Sequence, residues 1–137
     1  MPRVLALDVG EKRIGIAISD GLGMTAQGIE THTRGDVKST LDRIRELVRG
    51  YDVATIVVGL PFNMNGTKGA SAVLVESFIE TLKNEFSVKV VTVDERLTTA
   101  QSERLLLEAD ISRKKRKTCV DKMAAQLILQ TYLESNA

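Results

Sequence analysis

The apolar positions of this chain repeat with two periods, and the switches between them mark out its elements. "RVLALDV" (Arg3 to Val9) is a near-continuous apolar run interrupted by Asp8, the pattern of a strand buried on both faces. Past Gly10, which suits a tight turn, "RIGIAISD" alternates Ile14, Ile16 and Ile18 with Gly15, Ala17 and Ser19. Period two predicts a hairpin whose second strand carries one small-residue face. "MTAQGIETH" predicts a weaker third strand. The spacing then becomes helical: Val37, Leu41, Ile44, Leu47 and Val48 fall on one stripe, with Asp36 placed to cap its start and Gly50 to end it.

"ATIVVGL" is β-branched and apolar throughout, as a buried parallel strand would be. The loop "PFNMNGTKG" precedes a helix predicted from Ala70 to Glu85. "VKVVTVDE" predicts another strand, and a further helix is expected from Thr98 to Ala109. After the basic run "RKKRK", a last helix should carry Val120, Met123, Ala124, Leu127, Ile128 and Thr131 on one stripe, with Asp121 near its opening. Right-handed crossovers turn this order into an α/β fold. It is a mixed five-stranded sheet, antiparallel across its first three strands and then parallel, with helices on both faces. At 137 residues the expectation is one domain, 1–137.

Composition narrows the function classes. The lone Cys119 excludes an internal disulfide and a cysteine-built zinc site, and fits a reduced, cytoplasmic setting. No stretch approaches the roughly 18 apolar residues of a membrane span, and charges at Asp8 and from Glu11 to Arg13 do not suit a signal peptide. The single histidine, His32, rules out a site built on several histidines and is expected on a strand surface. With no Trp, two Tyr and three Phe, no stacking platform for unpaired bases is evident. A net charge of +1 means that attraction to an acidic polymer has to be local.

Asp8 raises the chemical question, because a carboxylate in a buried strand is costly unless something compensates it. Glu95 follows the strand "VKVVTV", and Asp121 sits in "VDKMAAQLILQ". Three acids from distant parts of the chain, each at an element end, can converge on hard divalent cations such as Mg²⁺. Two such ions about 4 Å apart activate water and stabilise the leaving oxygen in phosphodiester cleavage. Other roles fit the same residues. Arg13 and Arg96 can pair with Asp8 and Glu95, an acid near a helix start favours the dipole, and Asp20 and Asp94 suit turns or ion pairs. The strand expected beside the central one ends in "GLPFN" without an acid. Glu95, from the strand after it, therefore has to reach across roughly two strand spacings, ~10 Å.

Cations cluster near these acids. Lys12 and Arg13 follow the first strand, and Lys68 lies in a glycine-rich loop able to offer amides to a phosphate or to be plain turn chemistry. Arg96 can orient a phosphate. Arg113, Lys114, Lys115, Arg116 and Lys117 either steer a phosphate backbone or form a solvated segment.

"LDVGEKRIGIAISD", "GLPFNMNGTKG", "DERLTT" and "VDKMAAQLILQTYL" together resemble, in order and across almost the whole chain, the motif blocks of the YqgF family, also called RuvX or Holliday junction resolvase. The resemblance implies a ribonuclease H-like fold related to RuvC and a nuclease processing the 5′ end of pre-16S ribosomal RNA. It also implies an acidic site at Asp8, Glu95 and Asp121, with Mg²⁺ or Mn²⁺, two ions, as cofactor. The expected partner is nucleic acid, precursor ribosomal RNA or branched DNA, with the chain a monomer or a homodimer and no membrane involved. A resolvase acting on four-way DNA and a non-catalytic nucleic-acid-binding module of ribosome assembly are the alternatives. The first hairpin also resembles the phosphate-binding hairpin of actin-like kinases, but those enzymes need a second such hairpin and domain, and this chain is too short for two.

Overall fold

β1 (Arg3–Val9) and β2 (Arg13–Ser19) form the expected hairpin, and β3 (Ala26–Thr33) adds antiparallel to β2. A computed structural model describes residues 3–61, 69–94 and 113–135, with side chains on the last helix from 123 to 134. Gly10 closes the β1–β2 turn through its amide, which donates to the Arg13 carbonyl at 2.9 Å. A Cβ on Gly10 would lie 2.8 Å from that same oxygen, so the tight turn depends on its absence.

α1 (Val37–Gly50) begins where its capping residue dictates: the Asp36 carboxylate accepts from the Ser39 amide at 2.7 Å. β4 (Val53–Leu60) pairs parallel with β1, α2 (Ala70–Glu85) crosses back, and β5 (Lys89–Asp94) pairs parallel with β4. The sheet order is β3-β2-β1-β4-β5, the mixed five-stranded arrangement expected, with β1 at the centre. The expected helix from Thr98 to Ala109 lies outside the described residues.

Side-chain alternation divides the core into two layers. Leu5, Leu7, Ile14, Ile16, Ile18, Ile56 and Val58 face α1 and α2, joined by Leu41, Ile44, Phe78 and Leu82 from those helices. The other face presents Ala6, Ala17, Ala26 and Val57 to Ala125, Ile128 and Leu129 of α3 (Arg113–Ser135). This is the small-residue face of β2. Alanines on both sides let the helix axis come close to the sheet, and α3 lies over β1, β2, β3 and β4.

Two expectations need correction. The first strand is not buried along its whole length: Leu5, Ala6 and Leu7 are fully buried, but Asp8 and Val9 are only half-buried at its end. Asp8 therefore keeps part of its contact with water. The last helix does not begin near Asp121 either; it starts at Arg113, so "RKKRK" forms its opening turns and Asp121 lies within it. Arg and Lys are good helix formers, and no Gly or Pro interrupts 113–135, so helix propensity extends the element past the acid.

Candidate functional site at the carboxyl edge of the sheet

The parallel strands β1, β4 and β5 end on one edge, at Val9, Leu60 and Asp94. The β1–β2 turn and the end of β3 lie there too, because Arg13 pairs with Thr33. Ligands of open α/β sheets bind outside such carboxyl ends.

Asp8 stands on the face that α3 covers, in the row of Val4 and Ala6. Its partner across β2 is Gly15, and one step beyond the Leu7–Val58 pair on the other side lies Gly59, itself opposite Val93. The row across the sheet is thus Gly15, Asp8, Gly59, Val93. Neither neighbouring strand places a side chain beside Asp8, so at the level of the strands it stands between two side-chain-free positions, a hollow in the sheet surface. Position 121 of α3 precedes Ala125, Ile128 and Leu129, which pack against the sheet, by four, seven and eight residues. Helical register puts it on the sheet-facing stripe.

The remaining expected site residues divide by place. Lys12 sits exposed in the turn that follows β1, and Arg13, half-buried, opens β2. Lys68, Glu95 and Arg96 lie outside the described residues. Arg113, Lys114, Lys115, Arg116, Lys117 and Asp121 lie on the backbone of α3, with side chains outside the described set. Among the described residues no three of His, Cys, Asp and Glu are grouped to hold a metal.

Two further acids, suited by sequence to turns or ion pairs, are sorted by the fold. Asp20 is at the opposite edge, where its carboxylate accepts from the Met24 amide at 2.9 Å and the Thr25 hydroxyl at 3.0 Å. Those donors, the Met24 amide foremost, hold its pKa below the ordinary carboxylate value. Asp94 alternates with Val93 on β5 and so shares the face of Val90, opposite to Asp8. Ser19 is wholly buried and its hydroxyl accepts from the Val4 amide at 2.8 Å, a structural role. His32 does more than lie on a strand surface: its Nε2 is 3.3 Å from the buried Thr40 hydroxyl of α1.

Arg34 belongs to this edge, though nothing in the sequence singles it out. Its Nη1 donates to the Gly10 carbonyl at 2.8 Å, its amide donates to the Lys12 carbonyl at 2.9 Å, and its guanidinium lies 5.4 Å from the Phe78 ring centre. It ties the turn after Asp8 to both β3 and α2. Only the strand order reveals this, because Arg34 is 26 residues from Asp8 in sequence (34 − 8).

Comparison with known proteins agrees with this fold. Solved structures of similar fold include Thermus thermophilus RuvC in complex with a Holliday junction substrate, at TM-score 0.60 and 13% identity over 98% of this chain and 95% of that one. The fowlpox virus resolvase with Holliday junction DNA has TM-score 0.57 and 14% identity, covering 98% of both chains. At these identities the likeness concerns the fold, which is that of RuvC and ribonuclease H. Curated relatives named "Putative pre-16S rRNA nuclease" are much closer. That of Geobacillus sp. (strain WCH70) is 53% identical over 135 residues, 97% of this chain and 98% of the relative. That of Thermoanaerobacter pseudethanolicus is 52% identical over 134 residues, 97% and 96% of the two chains. The family profile described as "RuvX: Holliday junction resolvase" matches residues 2–135, and the chain therefore belongs to the RuvX family.

Proposed function

We propose that this protein is a metal-dependent nuclease that hydrolyses phosphodiester bonds of precursor 16S ribosomal RNA in the cytoplasm. One observation carries the site: Asp8 lies one residue from the end of the central strand, between Gly15 and Gly59, on the face covered by the helix that carries Asp121. The names of relatives at about half identity along the whole chain support the substrate.

Asp8, Glu95 and Asp121 are the residues that would hold Mg²⁺ or Mn²⁺, two ions in this reading. The donor set fits, since carboxylate oxygens are hard ligands and neither neighbouring strand sets a side chain beside Asp8 to block an ion. Gly59 also bears on how Glu95 can take part: β4 puts no side chain between Asp8 and β5 in this row, so nothing from that strand bars a carboxylate arriving from beyond Asp94. When bound, the ions would supply an activated water and charge stabilisation for the leaving oxygen. The protein's own part is to hold the acids on a rigid strand and helix, and to seat the substrate phosphates with Lys12, Arg13 and the cations of α3, joined by Lys68 and Arg96.

The family description favours a second reading, resolution of four-way DNA junctions. That reaction needs two symmetric cuts and hence a dimer, whereas end-processing of RNA does not. Matched precursor RNA and a four-way DNA junction, incubated with one preparation with and without Mg²⁺ or Mn²⁺, separate the two. RNA cleavage lost with chelator and in Asp8→Asn is the expected result; junction cleavage alone assigns the resolvase, and no cleavage of either assigns a binding module.

A further inference from the structure

The hollow around Asp8 has a counterpart on the other face of the same edge. An open cleft of about 420 Å³ lies between the β1–β2 turn, the β3–α1 corner and the first turns of α2. That volume falls within the range of small-ligand sites, roughly 300–1,000 Å³. Val9, Leu74 and Val75 make an apolar wall, and Arg34 and Ser71 supply polar groups. Val75 is buried, but Leu74 is 57% exposed, a large apolar side chain left open to water beside a guanidinium. Arg34 is held in place by the Gly10 carbonyl and the Phe78 ring. Of its five N–H donors the Gly10 hydrogen bond takes one side of the fork, and the rest have no hydrogen-bond partner among the described residues.

We propose that this cleft, bounded by Arg34 and Leu74, binds a single ribonucleotide of the substrate strand, its phosphate on Arg34 and its base against Leu74, Val75 and Val9. The proposal rests on the nuclease reading above and adds a subsite to it. The chemistry of the lining selects the occupant. A planar, pre-oriented guanidinium matches one phosphate, and an apolar wall next to it matches a base rather than a second charge. Glu11, on the rim, is a carboxylate that opposes a second phosphate, so the occupant is a monophosphate unit. Placement fits the substrate path as well. Asp8 and Val9 are consecutive, so a strand crossing the end of β1 presents one phosphate to Asp8 on one face and a neighbouring nucleotide to Val9 on the other. Arg34 thereby acts twice, as a phosphate ligand and as the strut of the turn that follows Asp8.

The test titrates the full chain with the four ribonucleoside 5′-monophosphates, ribose 5-phosphate, a nucleoside diphosphate and inorganic phosphate, following amide resonances. Nucleoside monophosphates should shift Val9, Arg34, Leu74 and Val75 and bind about tenfold tighter than ribose 5-phosphate, with the diphosphate no tighter than the monophosphate. Leu74→Glu changes only an exposed side chain, so it should keep the melting temperature, weaken nucleotide binding about tenfold and raise the KM for RNA with kcat held. Arg34→Lys should retain part of the binding that Arg34→Gln loses. Unshifted cleft resonances, equal binding of ribose 5-phosphate and nucleotides, or an unchanged KM in Leu74→Glu overturns the proposal, even if the chain cleaves RNA. Nucleotide binding in the cleft of a protein that cleaves no RNA keeps the subsite and defeats the nuclease reading instead.

Discussion

Asp8 is the residue on which the proposed chemistry turns. Asp8→Asn keeps the shape of the side chain and removes its charge, so cleavage should disappear while circular dichroism stays the same. Mg²⁺ should raise the melting temperature of the wild type by mass action and that of the variant by less, which differential scanning checks directly. Asp20 and Asp36 give a different pH signature. Backbone amides, with Met24 and Ser39 the leading donors, lower both pKa values below 3.8. A depressed folded pKa gives stability that is complete above the unfolded value and lost as pH falls through the folded one. The double variant Asp20→Asn, Asp36→Asn should therefore be less stable than the wild type at pH 7, and the gap should close as pH falls below about 3.8 in acid titration. Arg43 links β3 to α1 through Glu30, with Glu46 beside it, and those partners push its pKa upward, so it stays charged throughout that titration.

At the level of elements, the close seating of α3 has a measurable cost of disturbance. Ala125 is fully buried against Ala6 and Ala17, so Ala125→Leu should destabilise the protein by about 1–3 kcal/mol through overpacking, read from urea unfolding. Ile128→Ala should cost about 2–5 kcal/mol through the cavity it leaves. Elements whose identity is written locally were legible in the sequence: the Ile14–Ile16–Ile18 alternation, the Asp36 cap and stripe of α1, and α2 from Ala70 to Glu85. What depends on distant neighbours was not. An acid inside a helix reads locally like one at its opening. The hollow at Asp8 needs the register that brings Gly15 and Gly59 alongside, and Arg34 needs the strand order that returns β3 to the edge. The candidate acids were legible as residue types; their faces were not.

On the scale of the whole molecule, substrate affinity should follow the cations around the edge. Replacing Lys114, Lys115 and Lys117 with Gln should weaken binding to every RNA sequence about equally, since such side chains hold backbone rather than read bases. Each lysine–phosphate pairing removed in this way should reduce the log–log salt slope by about 0.7 for single strands and 0.9 for duplex DNA, measured by filter binding across salt. A wild-type slope in the triple variant would assign phosphate binding to Lys12, Arg13 and Lys68 instead. The layering of the sheet also has a consequence for synthesis. The first strand and the last helix cover one another, so a growing chain finishes β1 to β5 while the row Ala6, Ala17 and Val57 still faces water. Until α3 packs on that row, the sheet keeps an open apolar face and the site we propose lacks Asp121, so on that reading cleavage waits for the helix to dock.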